Sequence, residues 1–347
     1  MERHAARLDF ASDNTAGICP EALRAIAEAN AGAAASYGDD EWSARLRERV
    51  QTLFERDCEV YTVLNGTAAN SLGLAQICQA HHAIVCHRYA HIQTDECGAP
   101  EFFSGGAKLL LTDGRDGKID ISSAEAAVAR QVELHGQQPR ALSLAEATEL
   151  GTIYTPDEIS ALGEFARRVS LLLHMDGARF ANAVAALGCA PKKITWQAGV
   201  DVLSFGGTKN GLAAGDLVVF FDRTLARDFD RRVKQGAQLA SKTRFLAAPW
   251  LALLADDLWL RNARHANAMA KRLAERLRDE AKLESVLPCE ANAVFVRLDK
   301  NSADRLRARG WDFYSFIDAD ICRFMCSWAT TQRAVDEFVA AVAGLRA

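Results

Sequence analysis

The chain has 347 residues, 49% hydrophobic and 25% charged, enough apolar mass for a large core in two domains or in one domain with an appendage. A formal net charge of −4 and no long basic run argue against a nucleic-acid-binding surface. Apolar runs such as LVVFF and SLLLHM are too short to cross a bilayer, and MERHAARLDF carries no apolar signal core, so a cytoplasmic protein without a membrane anchor is expected.

A helix is predicted from Pro20, at a first-turn position, to Gly32. Trp42, Leu46, Val50, Leu53 and Phe54 repeat at helical spacing. EVYTVLNG, AIVCHR and AKLLLTDG read as short strands ending in turns. TPDEISALGEFARRV opens as a capping box, with Thr155 as cap and Glu158 reaching back. VSLLLHMDGAR and DVLSFGGTKNG are two further strands running into turns, and DLVVFFD follows. Strands that are apolar throughout and separated by helices predict an α/β fold with a mainly parallel sheet between helices. After about residue 240 the pattern becomes a helical region, the strand ANAVFVRL, a short helix, the strand ICRFMCSW and a last helix from Thr330. The expected domains are an N-terminal arm (1–20), a large domain (21–240) and a smaller C-terminal α+β domain (241–347). Nine cysteines without a CxxC pair read as reduced core thiols, and no metal-ligand set is visible.

In such sheets ligands bind beyond the carboxyl ends of the strands, and three strand-end loops carry unusual polar residues. In LNGTAANSLGLAQ, Gly66 permits a tight turn and Thr67 is expected to cap a helix, whose free N–H groups and hydroxyl suit a phosphate. In LLLHMDGAR, Asp176 follows an apolar strand and needs a cation, either Arg179 or the protonated ring nitrogen of a cofactor. In SFGGTKNG, Lys209 lies between glycines Gly206, Gly207 and Gly211, which are expected to clear space around it. Each loop alone reads as an ordinary capped helix, ion pair or exposed turn. Together and in this order they match the needs of pyridoxal 5′-phosphate: a phosphate cradle, an aspartate for the pyridine nitrogen and a lysine for the Schiff base.

With these residues in place, the chain resembles the threonine aldolases among the fold-type I pyridoxal-phosphate enzymes, a group that includes β-eliminating lyases. The resemblance runs from DFASDNTAGICPEAL through YGDDEW, NGTAAN, YAHIQTDECGAPEFFSGGAKL, LSLAEATELGTIY, HMDGARFANAV and SFGGTKNG to ICRFMCSW. It implies a fold-type I transferase-like architecture and retro-aldol cleavage of L-threonine, L-allo-threonine and related L-β-hydroxy-α-amino acids, with L-phenylserine a further candidate, to glycine and an aldehyde. It also implies that Lys209 forms the Schiff base, Asp176 faces the ring nitrogen, Gly66 and Thr67 hold the phosphate, and His91 stacks on the ring with Glu96 beside it. Arg179 is implied near the ring hydroxyl and the substrate carboxylate, and Ser12 and Arg323 as the grip on that carboxylate. His135 is implied near the substrate hydroxyl, and Tyr37 and Lys242 at a neighbouring subunit's site in a homotetramer. The general base stays open between His91, His135 and a water held by them. Relatives of this cofactor class place a serine two or three residues before the lysine, where this chain has Gly206 and Gly207, and SFGGTKNG departs from the shorter SKGLG form. β-Elimination or transamination on the same scaffold, and a scaffold that has lost its cofactor, are the alternative readings.

Overall fold

The computed structural model describes residues 7–130 and 133–345. Its centre is a seven-stranded sheet made of β1 (Glu59–Val63), β2 (His82–His87), β3 (Lys108–Thr112), β4 (Gln138–Ala145), β5 (Leu172–Gly177), β6 (Val202–Phe205) and β7 (Asp216–Phe220). The order across the sheet is β1-β7-β6-β5-β4-β2-β3, and β7 alone runs against its neighbours. The predicted mainly parallel sheet is therefore present, and its cause is visible in the side chains: β6 and β7 are buried at every position. Residues exposed on neither face must be apolar on both.

Helices α1 (Pro20–Ala29), α2 (Glu41–Phe54), α3 (Gly66–Ile77), α4 (His91–Thr94), α5 (Ala99–Ser104), α6 (Ile121–Ala129), α7 (Pro156–Arg168), α8 (Phe180–Leu187) and α9 (Phe229–Gln235) surround this sheet. The capping box of Thr155 and Glu158 forms at the start of α7 as predicted. The cap of α3 does not fall on Thr67. Asn65 is the N-cap, its side chain accepting from the Ala68 N–H, so Gly66 and Thr67 occupy the first turn instead. The shift follows from geometry, since the cap accepts from an N–H two or three residues ahead.

The chain continues through α10 (Arg244–Leu254) and α11 (Leu258–Ala281), then β8 (Ala293–Arg297), α12 (Lys300–Ala308), β9 (Tyr314–Ser315), β10 (Ile321–Met325) and α13 (Gln332–Ala343), with β8-β10-β9 forming a small antiparallel sheet. The two cores do not divide at residue 240. Trp250, Leu253, Trp259 and Ala263 pack with the large sheet, whereas Met269, Leu273 and Leu277 pack with Phe324 and Phe338 of the small sheet and α13. The handover lies inside α11. Phe10 also packs in the second core, so the N-terminal arm belongs to the small sheet's packing. Among the described residues, no helix is long and apolar enough to cross a membrane.

Trp250 joins α10 to the strand end that matters below. Its ring packs 4.8 Å from Phe205, and its Nε1 donates to the Gly215 carbonyl at 2.8 Å. Trp250→Ala is expected to cost about 3–5 kcal/mol through the lost ring and the cavity left behind. Trp250→Phe keeps most of the packing but orphans a buried carbonyl, at about 1–3 kcal/mol. Urea unfolding midpoints of the two variants check the ranking.

Candidate active site

Five of the six parallel-running strands and the start of the reversed β7 deliver polar residues to one edge of the large sheet. β1 ends before the first turn of α3; β2 ends before His91; β4, β5 and β6 end at Glu146, Asp176 and the Lys209 turn. Because β7 is reversed, its first residue, Asp216, arrives at the same edge.

Asp176 is 6% exposed on β5, beside Ser204 of β6. Its carboxylate accepts from Asn70 Nδ2 at 2.8 Å and from the Ala178 N–H at 3.0 Å. Burial alone would raise its pKa, but His91, Lys209 and these donors outweigh burial and hold it below the ordinary value, so it stays ionised. Arg179 is not its partner. The Arg179 guanidinium clamps Asp13 through Nε at 2.7 Å and Nη2 at 3.0 Å, while Asn292 adds a third donor at 3.0 Å. That separation of 166 residues is invisible in the motif HMDGAR. Ser12, half-buried next to Asp13, accepts from the Asn14 N–H at 3.2 Å.

Asn70 also donates to Glu96 Oε1 at 2.8 Å, and the same oxygen meets His91 Nδ1 at 2.8 Å. One amide thus ties His91, Glu96 and Asp176 together, with one ligand atom of each within 4.8 Å of the others. Burial pulls the His91 pKa down, yet the bond to Glu96 and the Asp176 and Glu149 carboxylates carry it above its ordinary value. Burial lifts Glu96 despite its bonds to His91 and Asn70.

Lys209 sits half-buried in a short turn, and among the described residues nothing accepts a hydrogen bond from its ammonium. The turn is latched from below. Asp216 Oδ1 accepts the Gly207 N–H at 2.8 Å, the Thr208 N–H at 3.2 Å and the Thr208 hydroxyl at 3.1 Å. Asn210 donates to the Trp259 carbonyl at 2.9 Å, and Asn262 donates to the Asn210 carbonyl at 2.9 Å. The glycines do not clear space, contrary to expectation. A Cβ on Gly206 would lie 2.6 Å from the Ala178 carbonyl oxygen, and one on Gly207 2.5 Å from the Trp250 ring. They are glycines because the turn is pressed against backbone and indole, which also explains why no serine stands at either position.

Arg323, in the middle of β10, brings the small sheet to the same place. Its side chain lies 4.8 Å from the centre of the Phe316 ring. Its Nε is buried without a hydrogen-bond partner. Burial and the nearby Arg179 lower its pKa. An arginine left with an unpaired buried donor suits a carboxylate ligand.

The remaining expected residues lie elsewhere. His135 is exposed in the turn before β4, so the 8-residue strand separates it from the carboxyl edge by about 26 Å. The reason is direction: the linker containing it precedes the strand rather than following it. Tyr37 is half exposed with φ 60°, Lys234 lies 4.7 Å from its ring centre, and it lines a cavity of about 1070 Å³ with Arg47, Tyr61 and Thr243 that contains none of the residues above. Lys242 is exposed and follows Ser241, whose carbonyl accepts from the Tyr37 N–H at 3.1 Å. Sequence reasoning missed Asp13, Asn70, Asp216 and Glu149.

The residues that converge fit pyridoxal 5′-phosphate. The first-turn N–H groups of Gly66 and Thr67 have no acceptor among the described residues and are aimed as an anion site at the start of a 12-residue helix. The ionised Asp176 can face a protonated ring nitrogen, and the Lys209 amine is free to bond.

Residues 9–301 match the family described as Beta-eliminating lyase. The chain is 54% identical to the low specificity L-threonine aldolase of Pseudomonas aeruginosa, across 94% of this chain and 95% of that protein. It is 50% identical to the enzyme of the same name from another Pseudomonas, across 95% and 96%. Among solved structures, the threonine aldolase of Leishmania major superposes with a TM-score of 0.91 at 26% identity, covering 97% of this chain and 99% of that one.

The Asp13–Arg179 pair sets a pH dependence. Burial raises the Asp13 pKa, but Arg179 and Lys209 overcome it and leave the folded value below the ordinary 3.8. Its contribution is therefore present above that ordinary value and lost as pH falls through the depressed folded one. Asp13→Asn strands a buried guanidinium and is expected to cost about 3–5 kcal/mol at neutral pH. The variant should also lose part of the wild-type decline of stability in acid. Denaturant titrations at a series of pH values below neutral check both.

Proposed function

The chain belongs to the β-eliminating lyase family, and from that membership we propose that it is a pyridoxal-phosphate-dependent threonine aldolase of low specificity. It cleaves L-threonine, L-allo-threonine and related L-β-hydroxy-α-amino acids to glycine and an aldehyde. The observation that carries this reading is the half-buried Lys209 amine, without an acceptor among the described residues, at the same sheet edge as the ionised Asp176 and the open first turn of α3.

When bound, pyridoxal 5′-phosphate supplies an electron sink for the bond that breaks. The protein's residues do the rest. Lys209 would hold the cofactor and would give way to the substrate amine. Gly66, Thr67 and the Thr67 hydroxyl receive the phosphate. Asp176 stabilises a proton on the ring nitrogen, and Asn70 keeps its carboxylate oriented. His91, held by Glu96, offers its ring as a stacking face. Arg323 and Ser12 fix the substrate carboxylate. Arg179 contributes through Nη1 and the second N–H of Nη2, since Asp13 occupies Nε and one N–H of Nη2. Fixing the carboxylate orients Cα, and orientation selects which of its bonds is labile. Tyr37 and Lys242, exposed and outside this cluster, serve a neighbouring subunit's site in a homotetramer, as the resemblance implies.

Incubation with L-threonine should give acetaldehyde and glycine in equal amounts. A 2-oxo acid with ammonia would overturn the reading in favour of elimination. Lys209→Ala should lose both cleavage and the visible absorbance of the bound cofactor. Persistence of that band in the variant would remove Lys209 from its role.

A further inference from the structure

With His135 at the far edge of the sheet, the position expected beside the substrate hydroxyl is vacant of histidine, and a different residue stands there. Glu149 follows β4 at the carboxyl edge and is only 9% exposed. It is a central residue of a turn closed by the Gly151 N–H donating to the Thr148 carbonyl at 2.9 Å. That turn is clamped on every side. The Thr148 and Thr152 hydroxyls meet at 2.8 Å, the Thr152 hydroxyl donates to the Asp116 carbonyl at 2.6 Å, and the Ala291 N–H donates to the Gly151 carbonyl at 3.2 Å. Gly151 has φ +76° and would bring a Cβ within 3.2 Å of Ala293, so only glycine closes the turn without strain.

The charge of Glu149 acts on His91, on Arg179 and on Arg323, which come from three separate elements. These are the groups that frame the substrate in the reading above. Yet among the described residues no donor hydrogen-bonds the Glu149 carboxylate. Its oxygens are not sealed from solvent, so a carboxylate free of protein donors is open to accept one from a ligand. The substrate offers three polar groups. Its amine is engaged at the cofactor and its carboxylate at Arg323, which leaves the β-hydroxyl. The two arginines also offset the repulsion that Glu149 would otherwise exert on the substrate carboxylate. His91 is the rival base, but its Nδ1 is committed to Glu96 and its ring to stacking.

We infer that Glu149, resting on the aldolase reading, is the catalytic residue that accepts the β-hydroxyl proton during cleavage. The O–H bond breaks and its proton forms an O–H bond on Glu149. The oxygen's freed pair makes the aldehyde C=O as the Cα–Cβ bond breaks. The electron pair of that bond stays with the glycine fragment, for which the cofactor would supply the sink, until one proton is added at Cα. Glu149 releases its proton to water, so the proton count over a turnover is unchanged.

Two reactions of the holoenzyme separate this role from a structural one. Cleavage of L-threonine needs the β-hydroxyl proton removed; exchange of the glycine α-proton in D₂O, followed by NMR, does not. Glu149→Gln is expected to lower cleavage on the order of 10²–10⁴-fold while glycine exchange continues at the wild-type rate, and Glu149→Asp should recover part of the cleavage. Wild-type cleavage by Glu149→Gln, or a parallel loss of exchange and cleavage, overturns the inference. If Glu149→Gln does not fold, Glu149→Asp carries the test through the same pair of rates: reduced cleavage with intact exchange supports it, and parallel change sinks it. Failure of the aldolase reading itself looks different, because the wild-type protein would then release no acetaldehyde.

Discussion

A carboxylate with almost no solvent, Asp176 at the end of a central strand, is the constraint around which this molecule is arranged. Burying an unpaired carboxylate is expensive, and the chain answers with neutral donors and distant cations rather than with a salt bridge. Asn70 and the Ala178 N–H bond it directly, while His91 and Lys209 act through space. A direct ion pair would have neutralised the charge and left nothing for a ring nitrogen. Asn70 reaches Asp176 only because α3 packs across the sheet face from β1, which fixes the first turn of α3, and with it the anion site, relative to the aspartate.

The second buried charge does a different task. Arg179 could have satisfied Asp176 locally, three residues away, but it turns to Asp13 of the N-terminal arm, and Asn292 next to β8 binds the same carboxylate. One bidentate pair therefore joins the large sheet, the arm and the small sheet. The position of Arg323 relative to Lys209 is inherited from that junction, since both Asn292 and Arg323 belong to the small sheet or its approach and the Met325 N–H donates to the Phe10 carbonyl at 3.0 Å. The arm is thus part of the site's scaffold. Its short motif ASDN holds Asp13 toward the arginine, with Ser12 next to it in the chain.

The sheet was legible because residues buried on both faces of a strand must be apolar, and runs such as DVLSF and DLVVF leave little choice. Asp176 was legible for the same reason, since a charge directly after such a run stands out, and Lys209, further past its run, was legible through its company. Where the reading failed, the missing information was three-dimensional. Asn65 rather than Thr67 caps α3 because the cap is defined by which N–H is reached. The glycines before Lys209 looked like open space and are contact points with Ala178 and Trp250. His135 was placed by the resemblance alone, whereas the topology puts the turn before β4 at the opposite edge. Glu149 left no signal in EATELG, yet the rule that ligands bind beyond the carboxyl ends of strands, applied to β4 as it was to β5 and β6, would have selected it.

The placement of bases around Cα bears on why one scaffold would favour cleavage over elimination or transamination. All of these begin from the same bound amino acid; elimination and transamination first lose the proton on Cα, whereas aldol cleavage loses that of the β-hydroxyl. Lys209 sits in the turn after β6, held by Asp216 and by Asn262 of α11. Glu149 approaches from the turn after β4, clamped by Asp116 and Ala291, on a separate element. Two clamped loops thus hold Lys209 and Glu149 on separate elements of the same sheet edge. A carboxylate poised at the hydroxyl turns that group into a departing carbonyl rather than a departing hydroxide, because it removes the proton that a leaving hydroxide would need to keep. Elimination would require the opposite, an acid at the same point. On the proposed role of Glu149, the choice of reaction then follows from one residue in a fixed turn receiving the hydroxyl proton, with Arg179 and Arg323 within reach of its carboxylate.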